Sequence, residues 1–468
     1  MALVDPNYLF PAEPGVRSLA RDLYGTVRDL PIVSPHGHTD PRWYADNQLF
    51  PDPAQLLIVP DHYIFRMLFS QGHRLEDFGV PTLDGAPVET DGRTIWRRFA
   101  KSYYHFRGTP TRLWLDYTLQ TLFALDEPLT GATADRHYDA IAERLASDSY
   151  RPRALYERFN IEVIATTDGA LDDLSSHRAI RDSGWRGRIV PTYRPDAVVD
   201  PDFEGFAANL DRLADISGAD TGTWDGYLDA HRRRRAAFQA LGATATDHGH
   251  PTAETANLTH TEAARLFDRV RLGTADAGER ALFRAQMLTE MARMSADDGL
   301  VMQIHPGSMR NHSAAMFARF GRDKGFDIPT RTDYVRALQP LLDAVGTDPR
   351  ASVILFTLDE TSYARELAPL AGVYPALKLG PAWWFHDSPE GMRRFREATT
   401  ETAGFYNTVG FNDDTRAFPS IPARHDVARR VDCAFLARLV TEHRLREAEA
   451  HELAHDLAYG LAKKAYRL

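Results

Sequence analysis

Short apolar, β-prone runs alternate along this chain with longer stretches of helical character. Eight such runs stand out: Leu30–Pro35, Glu162–Thr167, Arg188–Tyr193, Ala243–Thr246, Leu300–Ile304, Ser352–Leu358, Tyr374–Leu379 and Phe405–Phe411. The fourth is the weakest, being short and rich in Ala and Thr. Strands separated by helix-length segments predict parallel pairing, because parallel neighbours need a crossover connection. Several runs end at once in polar or Gly/Pro residues: SPHGHTDP, TTDG, YRPD, TDHG, IHPG and NDDTR. In a barrel the loops that follow the strands gather on the carboxyl-terminal face, where chemistry is placed. The pattern therefore predicts an α/β fold, a (β/α)₈ TIM-type barrel. A doubly wound sheet is the alternative that spacing alone leaves open.

The gap between the first and second runs is too long for one crossover helix. Residues from about 40 to 158 carry helical signals such as Thr94-Ile95-Trp96-Arg97-Arg98-Phe99, and predict a mostly helical insertion over one barrel end. The expected organisation is one barrel domain over residues 1–468 with that insertion. No internal repeat or low-complexity segment interrupts it. Residues Thr415 to Leu468 read as a loop and terminal helices, with Arg446–Tyr466 the clearest helical period.

Composition narrows the function classes. The chain has 468 residues, 43% apolar and 26% charged, with a formal charge of −10. No net positive field exists to hold nucleic acid. An anionic metabolite would need locally placed Arg or metal. Cys433 is the one cysteine, so no intrachain disulfide can form, which predicts a reducing, cytoplasmic setting. The N-terminal MALVDPNYLFPAEPGVR lacks the basic and apolar regions of a signal peptide. No window approaches about 18 uninterrupted apolar residues, so no membrane span is expected.

Candidate chemistry begins at His36-Gly37-His38, directly after the first run. In extended chain residues i and i+2 point the same way. Two imidazoles placed so can share one metal, with Gly37 leaving space between them, and imidazole suits zinc and similar divalent ions. The competing reading is two surface histidines in a turn. Asp413-Asp414-Thr415-Arg416 follows the last run, which faces the first in a closed barrel. Asp414 can supply a third ligand with Arg416 near the same centre, or the two can form a loop ion pair. His305, ending the fifth run, reads equally as ligand, substrate donor or structural histidine. Arg194, after the third run, can hold a carboxylate bidentately or pair with Asp196. Trp383 in Trp383-Trp384-Phe385 can wall a sugar site or serve as packing. Asp247-His248-Gly249-His250 ends the fourth run and contains a second His-x-His, without a strong strand before it. His451-Glu452-Leu453-Ala454-His455 matches the zinc-protease helix pattern. No third His or Glu ligand follows it, so it reads as one stretch of an amphipathic terminal helix. Arg232–Arg235 reads as a solvated helix face.

Taken together, SPHGHTDP, PDHYIFRML, TTDGALDD, YRPD, TDHG, QIHPGSMRNHS, LGPAWWFHDS and NDDTRAFPSIPARHDVARR resemble the uronate (glucuronate) isomerase family of the amidohydrolase superfamily. The stretches run in the family's order from near residue 34 to about residue 430. The resemblance implies a barrel binding one divalent metal, usually Zn²⁺, with His36, His38 and Asp414 as ligands. It implies catalytic roles for Asp414, Tyr63 and Arg416. It also implies that Arg194 holds the substrate carboxylate while His62, His305 and Trp383 line the pocket. The implied reaction converts aldose to ketose, D-glucuronate to D-fructuronate and D-galacturonate to D-tagaturonate, through a cis-enediol. A small-molecule hexuronate would be the partner, and the enzyme would be a homo-oligomer.

Two departures stand in the sequence. The sixth run ends Thr357-Leu358-Asp359-Glu360, where relatives more often carry Asn-Pro, and Gly169 stands where an acidic residue is common. Both leave room for an altered uronic acid substrate. The alternative function is a metal-dependent hydrolase of the same superfamily. Such enzymes often use a bridging Lys at the end of the fourth strand with two metals, and this chain has Thr246-Asp247-His248 there. A third reading, a metal-stapled protein without catalysis, predicts no uronate turnover.

Overall fold

The computed structural model describes residues 3–468. A helix over Pro14–Val27 opens the chain, capped by the Glu13 carboxylate, which accepts from the Gly15 and Val16 N–H groups. Nine strands follow: β1 Ile32–Ser34, β2 Ile161–Gly169, β3 Arg188–Arg194, β4 Ala245–His248, β5 Val301–Ile304, β6 Ser308–Met309, β7 Ile328–Pro329, β8 Val353–Leu355 and β9 Leu377–Leu379. Seven of them form one parallel sheet in the order β1-β2-β3-β4-β5-β8-β9. Most of their residues are buried, as expected of a parallel sheet covered on both faces. The β2–β3 ladder is the longest, running from Val163↔Arg188 to Gly169↔Arg194.

The eighth barrel position differs from the sequence expectation. Phe405–Phe411 does not form a strand; Thr408 makes a single parallel bridge to Leu379. Gly410 takes φ 78° near the end of the run and Gly404 takes φ 67° just before it, so the chain cannot stay extended across it. The segment still closes the barrel through scattered backbone bonds. Leu379 N–H donates to the Asn407 carbonyl at 2.8 Å, Asp414 N–H to the His36 carbonyl at 3.2 Å, and His38 N–H to the Thr415 carbonyl at 2.9 Å. The remaining runs shift at their ends. β4 lies two residues later than its run, and β8 and β9 are shorter than theirs.

Between β1 and β2 the chain forms seven α-helices and three 3₁₀ turns, and no strand. Their apolar faces make a core of their own around Phe78, Trp96, Phe99 and Tyr103, continued to Ile32 and Ile164 of the sheet. The helix His62–Ser70 starts here, capped by Asp61, whose carboxylate accepts from the Tyr63 N–H at 2.8 Å. Between β5 and β8, the short antiparallel β6–β7 pair and the helix Ala314–Phe320 cross the carboxyl end of the barrel. The helix Ile421–Thr441 is buried on nearly every side, including Arg424, Asp426, Arg429, Arg430 and Asp432. Among the described residues no helix is long and apolar enough to cross a membrane.

Candidate active site

His36 and His38 follow the carboxyl end of β1, with ring centroids 5.4 Å apart and nearly perpendicular. Asp414 reaches them from the segment at the eighth position, at a φ of 43° that Asp tolerates better than most residues. Its Oδ1 lies 3.4 Å from His36 Nε2 and 3.2 Å from His38 Nε2. One ligand atom from each residue falls within 4.8 Å of the other two, and among the described residues this is the one such group of His, Cys, Asp or Glu. Both ring nitrogens of His36 and Oδ1 of Asp414 are buried without a hydrogen-bond partner. Buried polar atoms are rarely left so. Two imidazoles and a carboxylate converging with unspent lone pairs could hold a metal ion. Gly37 is less constrained than its place suggested: an added Cβ would sit at ordinary contact, 3.5 Å from Asp413 Oδ1.

Protonation suits His38 and Asp414 as ligands, whereas for His36 burial is outweighed by Asp247 and Asp414, which raise its pKa. Burial lowers the His38 pKa to about 4, and burial with Arg416 nearby lowers that of His62 to about 3, so both rings are neutral at pH 7. Burial works against the Asp414 carboxylate, but the closeness of His36 and His38 holds its pKa well below the usual range. A neutral imidazole and an ionised carboxylate are the ligating forms.

Behind the trio lies Asp247, near the end of β4, with no solvent exposure. Its Oδ1 is 3.8 Å from His36 Nδ1 and 2.9 Å from His305 Nε2, and its Oδ2 is 3.3 Å from Arg194 Nη1. Burial alone would raise its pKa; His305, His36 and Arg194 reverse that and keep it ionised. A carboxylate facing the far nitrogen of a ligating His is the arrangement that fixes ring orientation. The sequence marked Asp247 without a role for it, since nothing local says that three strands aim side chains at one carboxylate.

The trio opens into a cavity of about 620 Å³. His62, Arg194, His305, Trp383 and Arg416 all line it. Trp383 packs 5.2 Å from His305 and 6.0 Å from His36, ring to ring. Arg194 faces the cavity, and its Nε donates to Asp196 at 2.8 Å. Arg416 has a buried, partnerless Nε and lies 3.7 Å from Asp323. Tyr63 is not among the cavity-lining residues. It stands behind His62, with its hydroxyl buried and unpartnered.

Other motifs resolve differently. His248 turns away, its Nε2 3.0 Å from Thr246 Oγ1, and its ring is 6.3 Å from that of His250, so the second His-x-His forms no centre. His451 and His455 sit on the helix Glu447–His455, with Glu452 and His455 exposed and outside the cavity. In Arg232–Arg235 the solvated-face reading fails for two members. Arg235 is fully buried against Asp298, and Arg234 is buried with Nε donating to the Ala170 carbonyl. Of the two departures, Gly169 borders the cavity, whereas Thr357 and Asp359 bond Tyr334 and a 3₁₀ turn away from it. Asp323 carries no sequence signal, and Gly249 is marked only as the spacer of the second His-x-His. A Cβ on Gly249 would lie 2.5 Å from Arg194 Nη2 and 2.8 Å from both Asp196 Oδ2 and His305 Cε1.

Residues 3–466 match the family model described as glucuronate isomerase. The chain is 78% identical over 468 residues to the uronate isomerase of Mesorhizobium japonicum, covering 100% of both. It is 77% identical over 466 residues to that of Rhizobium meliloti, covering 100% of this chain and 99% of the relative. The crystal structure of glucuronate isomerase from Caulobacter crescentus superposes with a TM-score of 0.98 at 59% identity, covering 100% of this chain and 98% of the other. A uronate isomerase structure from Thermotoga maritima gives 0.92 at 25% identity, with 99% coverage of each.

Proposed function

Because the chain belongs to the glucuronate isomerase family, we propose that the cavity above Asp414 carries out that family's reaction, the conversion of a hexuronate aldose to its ketose. The substrates are D-glucuronate and D-galacturonate, and the products D-fructuronate and D-tagaturonate. The observation that carries the reading is the unpartnered His36–His38–Asp414 trio opening into a cavity shared with Arg194 and Arg416.

The chemistry needs a base at C2, a proton return at C1 and a path for the proton between the two oxygens. Asp414 stays ionised and turns Oδ1 to the imidazoles, which leaves its other oxygen to take the C2 proton. A cis-enediol results and is reprotonated at C1. Arg416, on the cavity wall, holds and passes the proton between O1 and O2, and the Tyr63 hydroxyl, which stands behind His62, joins that relay by turning toward the cavity. Arg194, anchored by Asp196 and Asp247, takes the carboxylate end and so fixes C1 and C2 over Asp414. A single zinc ion held by His36, His38 and Asp414 would polarise the substrate oxygens as a Lewis acid. His305 and Trp383 shape the wall and keep water from the enediol. The single buried cysteine and the family resemblance support a cytoplasmic homo-oligomer.

Ketose formation from each uronate, measured with elemental analysis of the same sample, tests the reading. The expected result is turnover with about one divalent ion per chain. Metal-loaded protein that converts neither uronate, or that instead cleaves ester or amide substrates, would overturn it.

A further inference from the structure

Arg424 lies in the helix Ile421–Thr441, is 1% exposed and does not reach the cavity. Its contacts nonetheless join the Tyr63 helix, the Asp413–Ser420 segment and the turn that begins at Trp383. Nη1 donates to the Asp387 carboxylate and, at 3.0 Å, to the carbonyl of Asp413, the residue before Asp414. Nε donates to Ser420 Oγ at 3.4 Å, and that hydroxyl lies 2.8 Å from Thr415 Oγ1, between Asp414 and Arg416. Asp387 closes the turn that begins at Trp383. On its other side the guanidinium carbon sits 3.6 Å from the Trp114 ring centroid and 5.4 Å from that of Tyr63. The Trp114 and Tyr63 rings meet edge to face at 6.0 Å.

The Tyr63 hydroxyl has no hydrogen-bond partner to fix it. What holds the ring is therefore the packing around it, and Arg424 is the cation over that ring that also bonds the Asp413–Ser420 segment. A buried ion pair such as Arg424–Asp387 is weak evidence for stability, since apolar replacements of similar size often serve as well. Its geometry here has a use that apolar residues cannot supply. One planar fork ties a carboxylate, a backbone carbonyl and a hydroxyl while stacking on aromatic faces.

We infer that Arg424 is a positioning residue that registers the Tyr63 ring against the Asp414–Arg416 segment. The inference rests on the reading that Tyr63 and Asp414 act on a bound hexuronate. Misplacement of a reacting group by about 1 Å costs on the order of 100-fold in rate.

The test compares Arg424→Lys and the pair Arg424→Met/Asp387→Asn, which leaves no buried charge alone, each also combined with Tyr63→Phe. Folding is followed by circular dichroism, and metal by elemental analysis. The paired variant should fold, keep its metal and hold KM within about twofold while kcat falls roughly 100-fold. Arg424→Lys keeps the charge but loses the fork, and should lose about tenfold in kcat even if the paired variant does not fold. In the Tyr63→Phe background neither change should lower kcat much further, because groups acting as one unit are not additive. Full kcat in Arg424→Lys, or losses that multiply with that of Tyr63→Phe, would overturn the inference. A fully active Tyr63→Phe enzyme would instead overturn the assignment of Tyr63, and the inference with it. Absence of uronate turnover in the parent enzyme would mark failure of the functional reading itself.

Discussion

Gly249→Ala adds one methyl group to the most crowded wall of the cavity. Its carbon would lie 2.5 Å from Arg194 Nη2, 2.8 Å from Asp196 Oδ2 and 2.8 Å from His305 Cε1. Comfortable separations begin near about 3.5 Å, so each neighbour must retreat by roughly 1 Å. None can do so freely. Arg194 is tied through Nε to Asp196 at 2.8 Å and faces Asp247 at 3.3 Å. Asp196 also accepts the N–H of residue 249 itself at 3.1 Å. His305 is held 2.9 Å from Asp247. Gly249 is not among the glycines with positive φ, so alanine suits the backbone and the strain falls on the side chains. Overpacking of this kind costs about 1–3 kcal/mol in stability. The catalytic effect should be larger. A displacement of about 1 Å in Arg194 and His305 corresponds to on the order of 100-fold in kcat/KM, or ~2.7 kcal/mol of lost transition-state stabilisation. The proposed ligands His36, His38 and Asp414 are not in the clash, so metal content should not change. Ketose formation measured across a range of D-glucuronate concentrations checks this, with elemental analysis alongside. An alanine enzyme whose kcat/KM stays within about threefold of the parent would refute the crowding argument.

Asp414→Asn removes the charge that both imidazoles face at 3.2–3.4 Å. It should abolish turnover and lower bound metal, read by activity and elemental analysis; retained metal with full activity would contradict it. Asp168 is buried, and burial raises its pKa from 3.8 to about 7. A raised carboxyl pKa favours the folded state below pH 3.8, and that contribution is lost as pH rises through about 7. Asp168→Asn should therefore gain stability relative to the parent between pH 4 and pH 8 by up to ~1.4 kcal/mol per pH unit, measurable by urea unfolding. Phe283 is fully buried against Trp224, Tyr227 and Phe267. Phe283→Ala should cost about 3–5 kcal/mol in the same unfolding assay while leaving kcat of the folded enzyme unchanged.

The alternation of short apolar runs with helical stretches was enough to place β1 to β5 in order, because parallel strands buried on both faces must be written as near-continuous apolar sequence. It also located His36-Gly37-His38 at a strand end and Asp414 beyond the last run, and a closed barrel brings those two ends together. Local pattern failed where local conformation departs from period. Gly410 bends the run expected at the eighth position, and only backbone bonds to β9 and to His36–His38 show that the segment still closes the barrel. Arg232–Arg235 reads as a surface charge run, yet Arg235 is enclosed by a partner 63 positions away. His451–His455 carries the louder metal motif, but among the described residues no third ligand folds toward it. Asp247, Gly249 and Arg424 show the limit most directly. Each acts through neighbours from several strands or helices that the chain order keeps far apart. The run pattern and residue chemistry of the sequence alone determined the fold class and the likeness to an isomerase family. The register of side chains across the barrel, which depends on how distant segments pack, decided which charges converge on the site and which groups hold them there.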